Sequence, residues 1–290
     1  MPPSPSAPQV SDRFPGPRRE DCPWCGSARL RTRLRAPGRQ RTGAVALDRC
    51  GDCAHAFQNP RSADDTARPL PGRRHRAAAR ALAGLSDPES WLDVGTGHGH
   101  FPEAAKEFFP YTSFDGLDPS ARVERALDQG RVEEAHRGLL TTPGVTERLR
   151  ARYDVLSMFH HLAHVPDPRA ELRAALAVLR PGGHLVIEAA DPDCAYATLL
   201  GPRWLPHSHP HLLPLPNLEA ELRALDCEIT TTARTHQPQD LTTAFTLPGP
   251  LRAPLTAVTA LDHLLAPLTR HTRFANTYRV VARTPGRPPA

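Results

Sequence analysis

The sequence predicts an α/β protein, a doubly wound and largely parallel sheet preceded by a small cysteine-bounded module. Three observations carry that expectation. Between Trp91 and Glu188, short β-rich runs alternate with helical patterns, which is how parallel βαβ units read. A glycine-rich turn, Gly95-Thr-Gly97-His-Gly99, follows the first of those runs, at the kind of strand-to-helix junction where such sheets place ligands. Four of the six cysteines form two C-x-x-C pairs near the front, Cys22 with Cys25 and Cys50 with Cys53.

Composition sets the outer limits. A chain of 290 residues suffices for one large domain plus a small appendage, and 39% hydrophobic residues exclude wholesale disorder. No apolar run approaches the roughly 18 uncharged residues of a membrane span. The proline-rich front also lacks the apolar middle of a secretory signal, so a cytoplasmic protein without a membrane partner is expected. The 33 prolines, about twice the usual share, crowd both ends and the stretches 202–216 and 248–254, which are expected to be extended or loop-like. Lys106 is the only lysine among 36 basic residues, a skew better explained by coding bias than by selection for nucleic acid, since phosphate accepts either cation. Charge is unevenly spread: residues 1–90 hold 16 arginines against 9 acids, while the remainder is nearly neutral. In an intracellular chain, paired C-x-x-C units argue for metal rather than disulfides.

Taken in order, residues 1–19 read as a disordered proline-rich tail and 20–60 as the cysteine module. Residues 61–86 read as a linker and a leading helix, Gly72–Gly84, rich in alanine and arginine. The main domain is expected over 87–284. Its strands are predicted at Ser90–Val94, Ser113–Asp118, Val132–His136, Tyr153–Phe159 and His184–Glu188, with helices at 100–108, 120–129 and 168–179. Beyond them, Leu218–Leu225 and 255–269 are predicted helical, and Cys227–Ala233 and Thr277–Ala282 as strands. The 241–275 segment reads as a helical insertion and 285–290 as a tail. There are no internal repeats.

The glycine loop carries the functional expectation. Trp91-Leu-Asp93-Val-Gly95-Thr96-Gly97-His-Gly99 lets the backbone turn sharply and approach a ligand closely, and the following helix N-terminus favours polar or anionic groups. A dinucleotide fingerprint would need glycine at position 100, which is His. Twenty-five positions beyond Asp93, Asp118 ends a strand, where a doubly wound fold holds ribose hydroxyls.

This pattern resembles motifs I and II of the class I S-adenosylmethionine-dependent methyltransferases. The resemblance continues through Tyr153-Asp-Val-Leu-Ser-Met-Phe-His160-His-Leu-Ala-His164 and Leu179-Arg-Pro-Gly182-Gly-His-Leu-Val-Ile-Glu188, covering about residues 75–284. It implies a Rossmann-like seven-stranded sheet whose last strand is antiparallel. It also implies that Asp93, Gly95, Thr96, Gly97 and Gly99 hold the methionine end of S-adenosylmethionine, Asp118 the ribose, and Leu139 a place near the adenine. A sulfonium carries its own leaving group, so the protein's task is chiefly alignment, with a base where the acceptor is a hydroxyl or carbon acid. His160 and His164 are the candidate catalytic residues, since histidine suits proton removal near neutral pH. His161 is expected to pack within its loop. The ubiquinone-biosynthesis O-methyltransferases carry Glu at the position of His160 and Glu-His where this chain has Ala163-His164. With both acids absent, metal-assisted O-methylation is disfavoured and His160 gains as the base. His207-Ser-His209-Pro-His211 reads as a substrate lid with incidental histidines.

The two cysteine pairs, 24 residues apart, read as a zinc ribbon with Cys22, Cys25, Cys50 and Cys53 around a structural Zn2+. A closed four-thiolate site leaves no open position for catalysis, and a module this small needs the metal to fold. Arg29, Arg31, Arg33 and Arg35 form one face of a strand; without interleaved aromatics, a solvated surface is preferred over an RNA contact. Such two-part chains resemble the deoxysugar C-methyltransferases and a group of ribosomal-RNA guanine methyltransferases, neither closely. The expected function is methyl transfer from S-adenosylmethionine to oxygen or carbon of a small molecule, in specialised metabolism. Two alternatives stand: an RNA methyltransferase docking through the basic ribbon, and a non-catalytic binding or regulatory module on a degenerate fold. The acceptor, the atom methylated and the oligomeric state are not legible, and 241–275 fits either an acceptor pocket or a dimer contact.

Overall fold

The front of the chain forms three antiparallel strands, β1 (Leu30–Pro37), β2 (Ala44–Cys50) and β3 (Ala56–Gln58). The computed structural model describes residues 17–37, 44–61, 72–85, 87–200, 209–237, 249–269 and 272–286. Leu30 pairs with Cys50, so the hairpin brings the knuckle that precedes β1 to the knuckle that ends β2. Arg18, assigned to the tail on composition, is bound: its Nη2 donates to both Asp48 oxygens at 3.0 and 2.9 Å. Most of the expected tail (1–16) and linker (62–71) lies outside the described residues.

The body opens with α1 (Gly72–Leu82), then β4 (Ser90–Val94), α2 (His100–Ala105), β5 (Ser113–Asp118), α3 (Arg122–Asp128) and β6 (Ala135–Arg137). It continues with α4 (Val145–Leu149), β7 (Tyr153–Phe159), a 3-10 turn at His161–Ala163, α5 (Pro168–Val178) and β8 (Leu179–Ala190). The last part holds α6 (Ala195–Leu200), β9 (His211–Leu212), α7 (Leu215–Ala224), β10 (Glu228–Thr235), α8 (Gly249–Thr269) and β11 (Thr277–Arg283).

Seven strands form one sheet in the order β10-β11-β8-β7-β4-β5-β6. The pairs from β8 to β6 are parallel, and β11 runs antiparallel to both of its neighbours. That is the doubly wound sheet the alternating pattern predicts. Side chains alternate across it. Trp91, Phe114, Val155 and Val186 pack on one face with Ala78, Ala79 and Leu82 of α1 and Phe101 and Ala105 of α2. Leu92, Leu117, Leu156 and Leu185 pack on the other with Val145 of α4, Leu172 and Ala175 of α5, and Leu218 and Leu222 of α7. Both faces being covered explains why the central strands read as apolar runs.

Local signals set several boundaries. Asp167 caps α5, its side chain accepting from the amides of Arg169 and Ala170 at 3.0 Å, and Pro168 fills the first turn, where a missing N–H costs nothing. Other boundaries differ from expectation. The third strand of the parallel run is shorter and later than Val132–His136; ahead of it the Phe114 amide is taken by the Glu133 side chain at 2.7 Å. β8 begins at Leu179, with the Arg-Pro-Gly-Gly turn as an irregularity inside the strand at Gly182 (φ 79°). The 248–254 stretch is not extended from Gly249 on: α8 starts there, with Pro250 near its first turn, where prolines are tolerated. No described helix is long and apolar enough to cross a membrane.

Candidate functional site

β4 ends at Val94, and the turn Gly95–Gly99 delivers the chain into α2 at the carboxyl edge of the parallel strands. All three glycines have positive φ, of 76°, 56° and 73°, but for different reasons. A Cβ at Gly95 would lie 2.7 Å from His161 Nδ1, and one at Gly99 2.9 Å from Ala126 Cβ, so both are demanded by packing. At Gly97 a Cβ would meet nothing within 4 Å. The one glycine without a packing neighbour therefore faces an opening, where a bare backbone lets a ligand approach. The Gly95 amide is pinned to Leu117 O at 2.8 Å, which ties the turn to β5. The Gly97 amide donates to Asp118 Oδ2 at 2.9 Å, and Ser120 N donates to Asp118 Oδ1 at 2.9 Å. The Ser120 hydroxyl donates to Oδ1 as well, so buried Asp118 is oriented with Oδ1 occupied, while Oδ2 retains a lone pair for a further donor.

Beneath the turn runs a buried polar chain. Trp91 Nε1 donates to Ser157 Oγ at 2.9 Å, and that hydroxyl donates to Asp93 Oδ1 at 2.6 Å. Burial pushes the Asp93 carboxyl up to about 7, against the pull of the Ser157 hydrogen bond. Thr96 is buried, its methyl over Gly116, where a Cβ would come within 2.8 Å. Leu139, two residues past β6, is half-buried against the core. Asp93, Gly95, Thr96, Gly97, Gly99 and Asp118 thus belong to one turn and its supports.

His160 follows β7 with φ 58°, its amide donating to Glu188 O at 2.7 Å. Its Nε2 lies 3.1 Å from Gln237 Nε2 and 3.5 Å from Glu188 Oε1. Arg74 donates to Gln237 Oε1 at 2.7 Å, so the Gln237 amide presents N–H to the ring and leaves the ring proton on Nδ1. That Nδ1 is buried and has no partner among the described residues. Arg279 grips Glu188 Oε2 through Nε and Nη2 at 3.0 and 2.5 Å. Burial acts to raise the Glu188 carboxyl, but the His160 ring, when it carries a proton on Nε2 as well, and the Arg279 charge outweigh it and hold it down to about 2. The His209 ring completes this side, 6.1 Å from His160 and 5.2 Å from His164; burial pulls it well below the usual histidine value. His161 points elsewhere, Nε2 2.9 Å from buried Glu171, which also accepts from Leu140 N at 3.1 Å. It is a structural tie, as expected.

This turn, its acid on the second parallel strand and the sheet order are accompanied by a direct match: the methyltransferase domain family model covers residues 65–232. The chain belongs to that family. Among curated relatives, the ubiquinone biosynthesis O-methyltransferase of Bordetella avium is 30% identical over 159 residues, 51% of this chain and 65% of that protein. The protein of the same name from Alkalilimnicola ehrlichii is 30% identical over 132 residues, 44% of this chain and 52% of that protein. The chain therefore spans between about half and two thirds of the length of these relatives. Among solved structures, a SAM-dependent methyltransferase from Archaeoglobus fulgidus shares 16% identity with TM-score 0.52, over 74% of this chain and 95% of that one. A chain from the Haloferax volcanii complex of the Trm112 methyltransferase activator with a methyltransferase shares 17% identity with TM-score 0.54, over 74% and 91%. These two support the fold.

Apart from the methyltransferase turn lies the cysteine cluster. Cys22 Sγ is 3.6 Å from Cys53 Sγ, Cys25 Sγ is 3.5 Å from Cys50 Sγ, and all four sulfurs lie within 4.8 Å of one another. A tetrahedral ion with bonds of roughly 2.3 Å needs sulfurs about 3.8 Å apart. The donor set and spacing therefore fit zinc, and four thiolates would close its shell. Asp115, Glu134 and His136 also cluster, but Arg152 already supplies their cation, 3.3 Å from Asp115 and 2.5 Å from Glu134.

Of the expected lid histidines, His207 lies outside the described residues, and only His209 faces His160 and His164. His211 turns toward the cysteine module, 3.1 Å from His55 Nε2. The sequence pattern does not single out Glu188, Gln237, Arg279 or Arg74. Glu188 carries a readable sign, a carboxylate ending the apolar run Leu185-Val-Ile at the ligand edge of a parallel strand. The other three arrive from distant elements and have no local signature.

Proposed function

We propose that this protein transfers the methyl group of S-adenosylmethionine to a small-molecule acceptor, on oxygen or carbon, with a structural zinc in its front module. The observation that carries this is the Gly97 cradle: an open backbone position whose amide is locked to the Asp118 carboxylate at the carboxyl edge of the sheet. Gly97 and its neighbours Gly95, Thr96 and Gly99 would hold the methionine end above Asp93, Asp118 the ribose, and Leu139 would flank the adenine. When bound, S-adenosylmethionine supplies an electrophilic methyl with a neutral thioether as leaving group. The protein then orients the acceptor, excludes water and removes one proton where the acceptor is a hydroxyl or carbon acid.

His160 is assigned the proton. The Gln237 amide keeps Nε2 as a lone pair, and an acceptor hydroxyl replacing that amide would deliver its proton there. The resulting imidazolium would face Glu188 Oε1, already 3.5 Å away and held ionised by Arg279. His164 lines the same side and is second in line. The curated relatives named for ubiquinone biosynthesis support a small organic acceptor, but the missing acids at His160 and Ala163 argue against a divalent ion assisting here. Cys22, Cys25, Cys50 and Cys53 would bind Zn2+ for structure alone. A cytoplasmic location accords with this chemistry.

The test is a screen of cell extract with isotope-labelled methyl donor, identifying the product by mass. Label appearing in a low-mass organic product supports the assignment. Label only in RNA favours the ribbon-docking alternative, and no transfer by a protein that binds the donor favours a non-catalytic module.

A further inference from the structure

The cysteine module does not hang beside the body on a linker. Its sheet has a fourth strand, in the order β1-β2-β3-β9, and β9 belongs to the body. Ala56 pairs with Leu212 and Phe57 with His211, and the Gln58 amide donates to Pro210 O at 2.8 Å. Next to that ladder, His55 is fully buried, stacked on Trp24 at 6.0 Å and bonded through Nε2 to His211 Nδ1 at 3.1 Å. Two residues before His211 stands His209, the ring that meets both His160 and His164.

Further links reach the same region. Arg61, just past β3, donates to the backbone oxygen of His164. Asn217 at the start of α7 donates to Cys53 O at 2.7 Å, and Arg169 of α5 donates to Trp24 O at 3.1 Å. Cys22, Trp24, Cys50 and Phe57 join the same buried apolar cluster as Leu92, Leu156 and Leu213. On its far side the β9 segment is tied to the sheet by Tyr278, whose hydroxyl donates to Leu213 O at 2.8 Å.

We infer that the cysteine module is a wall of the acceptor cleft: His55, acting through His211 and the β3–β9 pairing, is a positioning residue that sets where His209 stands over His160 and His164. This rests on the methyltransferase assignment only for naming the cleft as the acceptor's; the mechanical coupling stands on the contacts alone. Cys53 and His55 are two residues apart, so the fold that holds the four sulfurs together also holds the strand that carries the wall. Loss of the metal then loosens a segment about 160 residues away in sequence without touching the Gly97 turn.

The experiment is hydrogen exchange on the full chain, zinc-loaded and after treatment with a zinc chelator, with calorimetry against S-adenosylmethionine on the same samples. The expected result is that amides over 209–213 exchange at least about tenfold faster after chelation while those of 90–94 do not. If residues 46–58 lose protection and 209–213 do not, the inference is overturned. Should chelation loosen the whole chain, His55→Ala with zinc retained decides: faster exchange at 209–213 supports the coupling, and unchanged exchange refutes it. Calorimetry reads the other proposal separately. Coupled exchange without donor binding leaves the wall standing and removes the methyltransferase assignment; donor binding without coupling does the reverse.

Discussion

Asp93→Asn offers a sharp physical test, because the wild-type carboxylate sits where a charge is disfavoured. Burial raises it from the ordinary 3.8 to about 7. An acid whose folded value exceeds its unfolded one binds more protons folded than unfolded, so stability declines as pH rises from 3.8 to 7. At about 1.4 kcal/mol per pH unit, the disadvantage is about 1.6 kcal/mol at pH 5 and about 4 kcal/mol at pH 8. Asparagine carries no such dependence and keeps an oxygen for the Ser157 hydroxyl. The variant should therefore gain on the wild type by about 3 kcal/mol between those two pH values, several degrees in melting midpoint. Thermal unfolding of both proteins at a series of pH values reads it. A difference that stays flat, or narrows toward pH 8, would refute the reasoning.

Gly97→Ala should leave the fold intact, losing about 1 kcal/mol for its left-handed backbone, while donor affinity by calorimetry falls tenfold or more because the new methyl enters the cradle; equal affinity would place the ligand elsewhere. His160→Ala should lower turnover by about 10²–10⁴ with little change in donor affinity, and unchanged turnover would remove it from the mechanism. Glu188→Gln leaves Arg279 buried without its countercharge and should cost about 3 kcal/mol or more in denaturant unfolding; a neutral outcome would mean the pair is solvated. Metal analysis of the purified chain should give about one zinc per molecule, and a folded preparation without metal would contradict the four-thiolate site.

Where a structural cause was local, the sequence revealed it. β4, β5 and β7 span the predicted residues Ser90–Val94, Ser113–Asp118 and Tyr153–Phe159, and Asp167-Pro168 marks the start of α5 with the two residues a helix start favours. The glycine turn was legible as a unit, but not the division of labour within it: Gly95 and Gly99 answer to His161 and Ala126, which only the fold brings near. The same limit hid the frame around His160, since Gln237 and Arg279 approach from β10 and β11 across a sheet order that no local pattern encodes. His211 was misassigned for a related reason. Alternation with His209 was visible, but a two-residue strand is too short to read: His211 lies inside it, paired with Phe57, whereas His209 precedes it across Pro210. Pro250 misled because a helix tolerates proline in its first turn.

The central claim, that the turn after Asp93 receives S-adenosylmethionine with Asp118 as anchor, is tested most directly by isothermal titration of the donor into the purified chain and into Asp118→Ala. One molecule bound per chain with affinity on the order of micromolar, lost in a variant that remains folded, is the predicted result. No heat of binding from a folded wild-type protein, or equal binding by both proteins, would contradict it.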